Sequence, residues 1–117
     1  MAGFESFVEA QQQVCAAFDV EWKPFGFDAI VGVSRNLGQV PPTHGLRLVS
    51  EQDGVEWFLW SGEYTDADDF FEPVHASHLI ERAPKVIRYL ALSSGFRFLI
   101  DDAGYEDVWF DEALLLP

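Results

Sequence analysis

Phe4, Phe7, Val8, Gln11, Val14, Cys15 and Phe18 recur at spacings of three and four, with Glu5, Glu9, Gln12 and Gln13 between them. This period predicts one amphipathic helix whose apolar stripe docks on a sheet. Pro24 and Gly26 end the segment after Trp22, and the apolar run Ala29 to Arg35 reads as a buried strand. Gly38, Pro41 and Pro42 mark Asn36 to Gly45 as a connecting loop. Leu46 to Ser50 forms a second strand, and Gln52-Asp53-Gly54 supplies the turn into a third, Val55 to Ser61. Within that third strand Val55, Trp57 and Leu59 point to one face and Phe58 and Trp60 to the other, which predicts a central strand with both faces packed.

Helical spacing returns after Pro73, where Leu79, Ile80, Ala83, Val86, Ile87 and Leu90 share a face. Pro84 interrupts it, so two short helices or one restarted at Pro84 are expected. Gly95 to Asp101 and Tyr105 to Phe110, joined by Asp102-Ala103-Gly104, form a second hairpin, and an apolar tail follows at Leu114 to Leu116. No repeat or linker divides the chain, which reads as a single domain over residues 1–117. The predicted architecture is α+β in two layers: an antiparallel sheet of about five strands packed against the N-terminal helix and a second helical segment.

Composition narrows the function. The chain carries 20 acidic against 7 basic residues, a formal charge of −13, which argues against a nucleic-acid backbone or an anionic membrane as partner. A basic partner remains, or none, with the charge serving only to keep an aromatic-rich protein in solution. The single cysteine, Cys15, has no second cysteine to pair with and no neighbouring base, so it reads as a buried small hydrophobe. The N-terminal residues lack the pattern of a signal peptide and no apolar run is long enough to span a membrane, which makes a cytoplasmic location the expectation.

The densest feature is Trp57 to Glu72, with six aromatics, five carboxylates and no Lys or Arg in sixteen residues. Clustered carboxylates repel unless solvent screens them or a basic partner neutralises them. The segment therefore reads either as an edge strand followed by a solvated acidic loop or as a partner-facing surface. On the second reading Glu63, Asp66, Asp68, Asp69 and Glu72 are the charged contacts, and Tyr64, Phe70 and Phe71 the anchors. Phe70 and Phe71 serve equally well to pin the loop to the core, and Trp57 and Trp60 are expected to be buried.

Catalytic patterns are weak. His75 and His78 follow Asp68, Asp69 and Glu72, residue types that bind zinc, but without the spacing of a helical His pair or a cysteine set. Asp66, Asp68 and Asp69 lack the glycine and terminal Glu of an EF-hand. Asp101 and Asp102 lie at a turn where Asp is favoured for backbone reasons, and Ser61 lacks the flanking glycines of a nucleophile elbow. No phosphate-binding glycine loop is present. The expectation is a non-enzymatic binding protein with no cofactor and no metal.

Four blocks then carry a likeness: Ser34-Arg35 closing the first strand, Arg47 in the second, Trp57 with Ser61-Gly62 in the third, and Pro84, Val86, Tyr89-Leu90, Gly95 and Phe98. In order and spacing they resemble a bacterial immunity-protein domain of polymorphic toxin systems, the family numbered thirty-three, over Ala29 to Phe110. The chain departs from that pattern at Glu56, where Gly is usual, at Ala83, where Asp often precedes the Pro, and at Tyr64, where an acid commonly follows Ser-Gly. The resemblance implies a protein that binds and neutralises a cognate toxin, and the acidic segment would complement a cationic toxin surface. The alternatives are an adaptor or regulatory domain of the same fold, homodimeric through its aromatic surface, and a small metal-dependent enzyme using His75 and His78.

Overall fold

The computed structural model describes residues 5–23, 25–49, 55–65 and 69–115. Pro24, the expected 52–54 turn and Leu116 fall outside the described residues. The elements run α1 (Glu5–Ala17), β1 (Ile30–Ser34), β2 (Thr43–Arg47), β3 (Trp57–Ser61), β4 (Phe71–His75), α2 (Leu79–Arg82), β5 (Phe96–Ile100) and β6 (Glu106–Phe110). Single 3₁₀ segments cover Ala76–His78, Pro84–Tyr89 and Glu112–Leu115. Pro84 occupies the first turn of its segment, where its missing N–H and fixed φ cost nothing, so the helical stretch restarts there.

The strands form one sheet in the order β4-β1-β3-β2-β5-β6, antiparallel except for the parallel β1–β3 pair. The α+β architecture is as the sequence predicts, with six strands in place of five. β3 is central, as its two-sided bulk requires, because β2 returns on its far side. β2 itself starts three residues earlier than the pattern suggests. Its ladder to β3 runs from Thr43↔Ser61 to Arg47↔Trp57, and a Leu48 N–H to Glu56 O bond of 2.8 Å closes it. His44 and Gly45 look like loop residues in sequence, but Gly45 lies under the Phe98 ring, where a Cβ would come within 2.1 Å of it.

The added strand is β4, on the outer side of β1 and in register from Ile30↔His75 to Ser34↔Phe71. Residues 71–75, read from sequence as the end of an acidic segment and the approach to a helix, are therefore sheet. Ala76 N–H bonds Ala29 O at 2.8 Å, and alternation along the ladder then turns the nitrogen of Pro73, opposite Gly32, away from β1. Proline is tolerated at such an edge position because no ladder bond is lost.

One face of the sheet presents Val31, Val33, Trp57, Leu59, Phe98 and Ile100, all buried against Leu79, Val86, Ile87 and Leu90. α1 closes this layer by lying on the Pro84–Tyr89 segment, where Gln11 Nε2 donates to Ile87 O at 3.0 Å. Cys15 contacts Ala91 O at 3.6 Å and is 3% exposed; burial raises its thiol pKa, consistent with a small core residue. Both helical segments thus fall on one side, and among the described residues no α-helix lies over the opposite sheet face.

Candidate partner-binding surface

Alternation along the strands assigns the uncovered face: Phe71 and Pro73 on β4, Phe58 and Trp60 on β3, His44 and Leu46 on β2, Arg97 and Leu99 on β5, Asp107 and Trp109 on β6. A two-layer fold with an exposed sheet face ordinarily makes that face polar. Here it is dominated by apolar and aromatic side chains, most of them half-buried.

The segment after β3 turns at Gly62, whose φ of +72° suits glycine. A network of buried hydroxyls holds the turn. Ser61 N–H donates to Ser34 Oγ at 3.2 Å, Ser34 Oγ donates to Asn36 Oδ1 at 2.8 Å, and Gly38 N–H donates to Ser61 Oγ at 2.9 Å. Ser34 and Ser61, two of the positions that carry the family likeness, therefore fix the loop beneath the surface.

Beyond the turn, Tyr64, Phe70 and Phe71 come together. Tyr64 meets Phe70 edge-on at 5.3 Å, Phe70 meets Phe71 at 4.8 Å, and Phe71 continues the cluster to Phe58 at 5.2 Å and Trp60 at 6.1 Å. Edge-to-face pairs at these separations stabilise beyond their buried area. Tyr64 remains 59% exposed, while Phe70 and Phe71 are half-buried, packed on one another with part of their surface open to solvent. Trp57 and Trp60 are buried as expected, at 0% and 6% exposure, but on opposite faces, Trp60 forming the floor of the aromatic cluster.

The candidate acids do not behave alike. Glu63 is exposed and has no ion-pair partner among the described residues. Asp69 lies 3.7 Å from Arg35 with both side chains largely exposed, a pair worth little in water. Glu72 is committed internally: Arg82 Nη1 donates to it at 3.0 Å while Arg82 Nη2 holds the carbonyls of Ser34 and Arg35 at 2.8 Å each, tying β4 to the end of β1. Asp66 and Asp68 lie outside the described residues.

Between the aromatic cluster and the Glu112–Leu115 segment runs a groove of about 520 Å³ floored by Leu46, Phe58 and Trp60. Arg97 forms part of its wall, its guanidinium over Trp109 at 5.6 Å and bonded to Asp111 at 3.1 Å, with Nε buried and unpaired. His44 stacks on Trp60 at 4.9 Å; burial, with the Arg97 charge adding to it, lowers its pKa against the opposing effect of a hydrogen bond involving the Gly62 backbone.

Sequence reasoning missed this groove because half of its lining, Leu46, Leu48, Arg97 and Leu114, lies outside Trp57 to Glu72 and is brought there by strand order. The period-two pattern of Leu46, Phe58, Trp60, Arg97 and Trp109 was the available signal. The residues considered for metal binding do not converge: the His75 and His78 rings are 6.0 Å apart, and among the described residues no group of three His, Cys, Asp or Glu is placed to hold an ion. Asp101 serves the β5–β6 turn, its Oδ1 accepting the N–H groups of Ala103 and Tyr105 at 2.9 Å each.

Comparison with protein families matches residues 10–111 to the Imm33-like domain. The chain belongs to the Imm33-like family. The match reaches into α1, which the resemblance read from sequence had left out. Searches of curated proteins and of solved structures returned no significant match. The residues that carry the Imm33-like pattern are mostly internal: Arg47, Val86, Tyr89, Leu90 and Phe98 are each 3% exposed or less. Two of the departures have visible consequences. Glu56 bonds the Arg47 guanidinium at 3.0 Å, and Tyr64 places an aromatic ring at the head of the cluster. Among the described residues no helix is long and apolar enough to cross a membrane.

Proposed function

We propose that this Imm33-like protein is a non-enzymatic immunity protein that neutralises a cognate toxin by covering part of its surface. The observation that carries the reading is the Tyr64–Phe70–Phe71 cluster, which breaks the surface beside an uncovered aromatic sheet face within an acidic stretch that has no Lys or Arg. Aromatic side chains supply contact area at small entropic cost and concentrate binding energy at interface centres. Glu63, Asp66, Asp68 and Asp69 surround them in this proposal and steer a basic toxin surface, with Glu72 holding β4 in place beneath. Asp101 in a turn, Ser61 in an internal hydroxyl network and His75 and His78 without a third ligand among the described residues support binding over catalysis.

The test is capture from the native lysate by the wild-type protein and by a variant carrying Asp66, Asp68 and Asp69 as Asn, followed by co-expression with the captured protein. The expected outcome is one basic protein, toxic when expressed alone, harmless with the wild type and poorly captured by the variant. Equal capture by both proteins would remove the acidic segment from the mechanism, and a captured protein without toxicity would remove the immunity role.

A further inference from the structure

Resting on the binding role proposed above, we infer that the groove on the uncovered sheet face receives a large apolar side chain, aromatic by preference, from a lysine- or arginine-bearing segment of the partner. The groove takes Tyr64 and Phe71, at the two ends of the acidic stretch, into its lining and extends the proposed interface across the sheet to Leu114.

Shape and composition define the first half of the inference. Leu46, Phe58 and Trp60 make an apolar floor, and Tyr64, Phe71 and Leu114 stand at its sides. Its volume of about 520 Å³ lies within the range of sites that enclose a small ligand or an anchor side chain. The floor is rigid: Trp60 is held between His44 at 4.9 Å and Tyr64 at 5.6 Å, and Phe58 against Phe71. A preformed apolar pocket of this kind loses little entropy on filling.

Charge chooses the occupant. Among the described residues that line it, the one cation, Arg97, is paired with Asp111. Close to its lining residues in sequence or on the same sheet face, Glu63, next to Tyr64, Asp107, on the same face of β6 as Trp109, and Glu112, two residues before Leu114, are exposed and without ion-pair partners among the described residues. An apolar cleft whose lining has unpaired acids as chain neighbours, in a molecule of charge −13, favours an apolar anchor flanked by positive charge and disfavours an acidic one. A second copy of this chain would bring the same acids against themselves, each molecule carrying −13, so self-association through the groove is opposed.

The experiment uses the whole protein, isotopically labelled, titrated with a short peptide bearing one tryptophan between lysines. Control peptides replace the tryptophan by alanine or the lysines by glutamates. The expected result is saturable, millimolar binding of the lysine–tryptophan peptide that shifts resonances of Leu46, Phe58, Trp60, Arg97 and Leu114, with both controls at least about tenfold weaker, and a similar loss in Leu114→Gln. Shifts confined to other surfaces, no binding, or equal binding of the glutamate peptide would overturn the inference. The same resonances moving with protein concentration alone would assign the groove to a second copy and overturn it likewise. If a toxin is captured equally well by wild type and by folded Leu114→Gln and Leu46→Gln variants, the groove inference falls while the immunity reading stands. If the peptide occupies the groove but no toxin exists, the reverse holds.

Discussion

Arg47 and Trp57 are register partners across β2 and β3, and both donate to the carbonyl of Leu90, at 3.3 and 3.0 Å. The same guanidinium reaches the carbonyls of Lys23 at 3.0 Å and Leu92 at 2.8 Å, bonds Glu56, and lies over the rings of Phe25 and Trp57. One buried side chain thus ties the loop after α1, the helical layer and the sheet together.

Removing it takes the donor from the carbonyls of Lys23 and Leu92 and from the Glu56 carboxylate, while Leu90 keeps its bond from Trp57. Arg47→Ala is expected to destabilise the protein by about 3 to 5 kcal/mol, the usual cost of breaking a buried charge network. Arg47→Lys should recover only part of this, since an ammonium lacks the planar fork that spans these acceptors. Urea unfolding of the two variants would check the order; equal stability of Arg47→Lys and wild type would contradict it.

Gly45 is expected to tolerate no side chain. A Cβ there would lie 2.1 Å from the Phe98 ring and 2.9 Å from Leu59, so Gly45→Ala should cost about 1 to 3 kcal/mol by overpacking. Phe98 also stacks on Tyr89 at 4.5 Å, leaving its ring little room to retreat. Adding Phe98→Leu should make the alanine less harmful than it is alone, a non-additivity readable from a double-mutant cycle in thermal unfolding.

His44 gives stability a pH dependence of defined sign. Its pKa is lowered in the folded protein, chiefly by burial, so the unfolded chain binds the proton first as pH falls. The contribution is complete above the unfolded value of about 6.5 and diminishes below it. In thermal unfolding from neutral pH down to about 5, the wild type should lose stability relative to His44→Gln. Parallel curves for the two proteins would refute this.

Tyr89 acts at the other end of the scale. Burial first, then the hydrogen bond to Glu106 and its charge, raises the phenol pKa above its ordinary value. The unfolded chain therefore releases the proton first, and stability contributed by the neutral phenol is lost as pH rises past about 10. Tyr89→Phe should cost about 1 kcal/mol near neutrality and remove part of the alkaline slope.

Association with a basic partner is expected to slow as salt rises, because the screening length shrinks from about 10 Å at 0.1 M to about 3 Å at 1 M. Stopped-flow association of the captured partner would show it. A rate indifferent to salt would argue against steering by the acidic segment.

Much of the fold was legible in sequence because its signals are local. The period of α1, the break at Pro84 and the Asp101 turn each depend on neighbours in the chain. β4 was not legible: Pro73 argues against a strand, and only pairing with β1 and the Arg82 tie through Glu72 place these residues in the sheet. The candidate surface was half visible. Tyr64, Phe70 and Phe71 stood out as aromatics among acids, yet their continuity with Arg97 and Leu114 depends on strand order, which no window of sequence contains.

The ends of the sheet bear on how the molecule tolerates crowding. β4 turns the imide nitrogen of Pro73 outward, and β6 lines its rim with Glu106 and Asp107. Outer strands so protected resist recruiting a strand from a neighbour, the step that begins fibrillar aggregation. In a chain with an apolar sheet face and eleven phenylalanines, one proline and two carboxylates thus guard the two outer strands against edge-to-edge pairing.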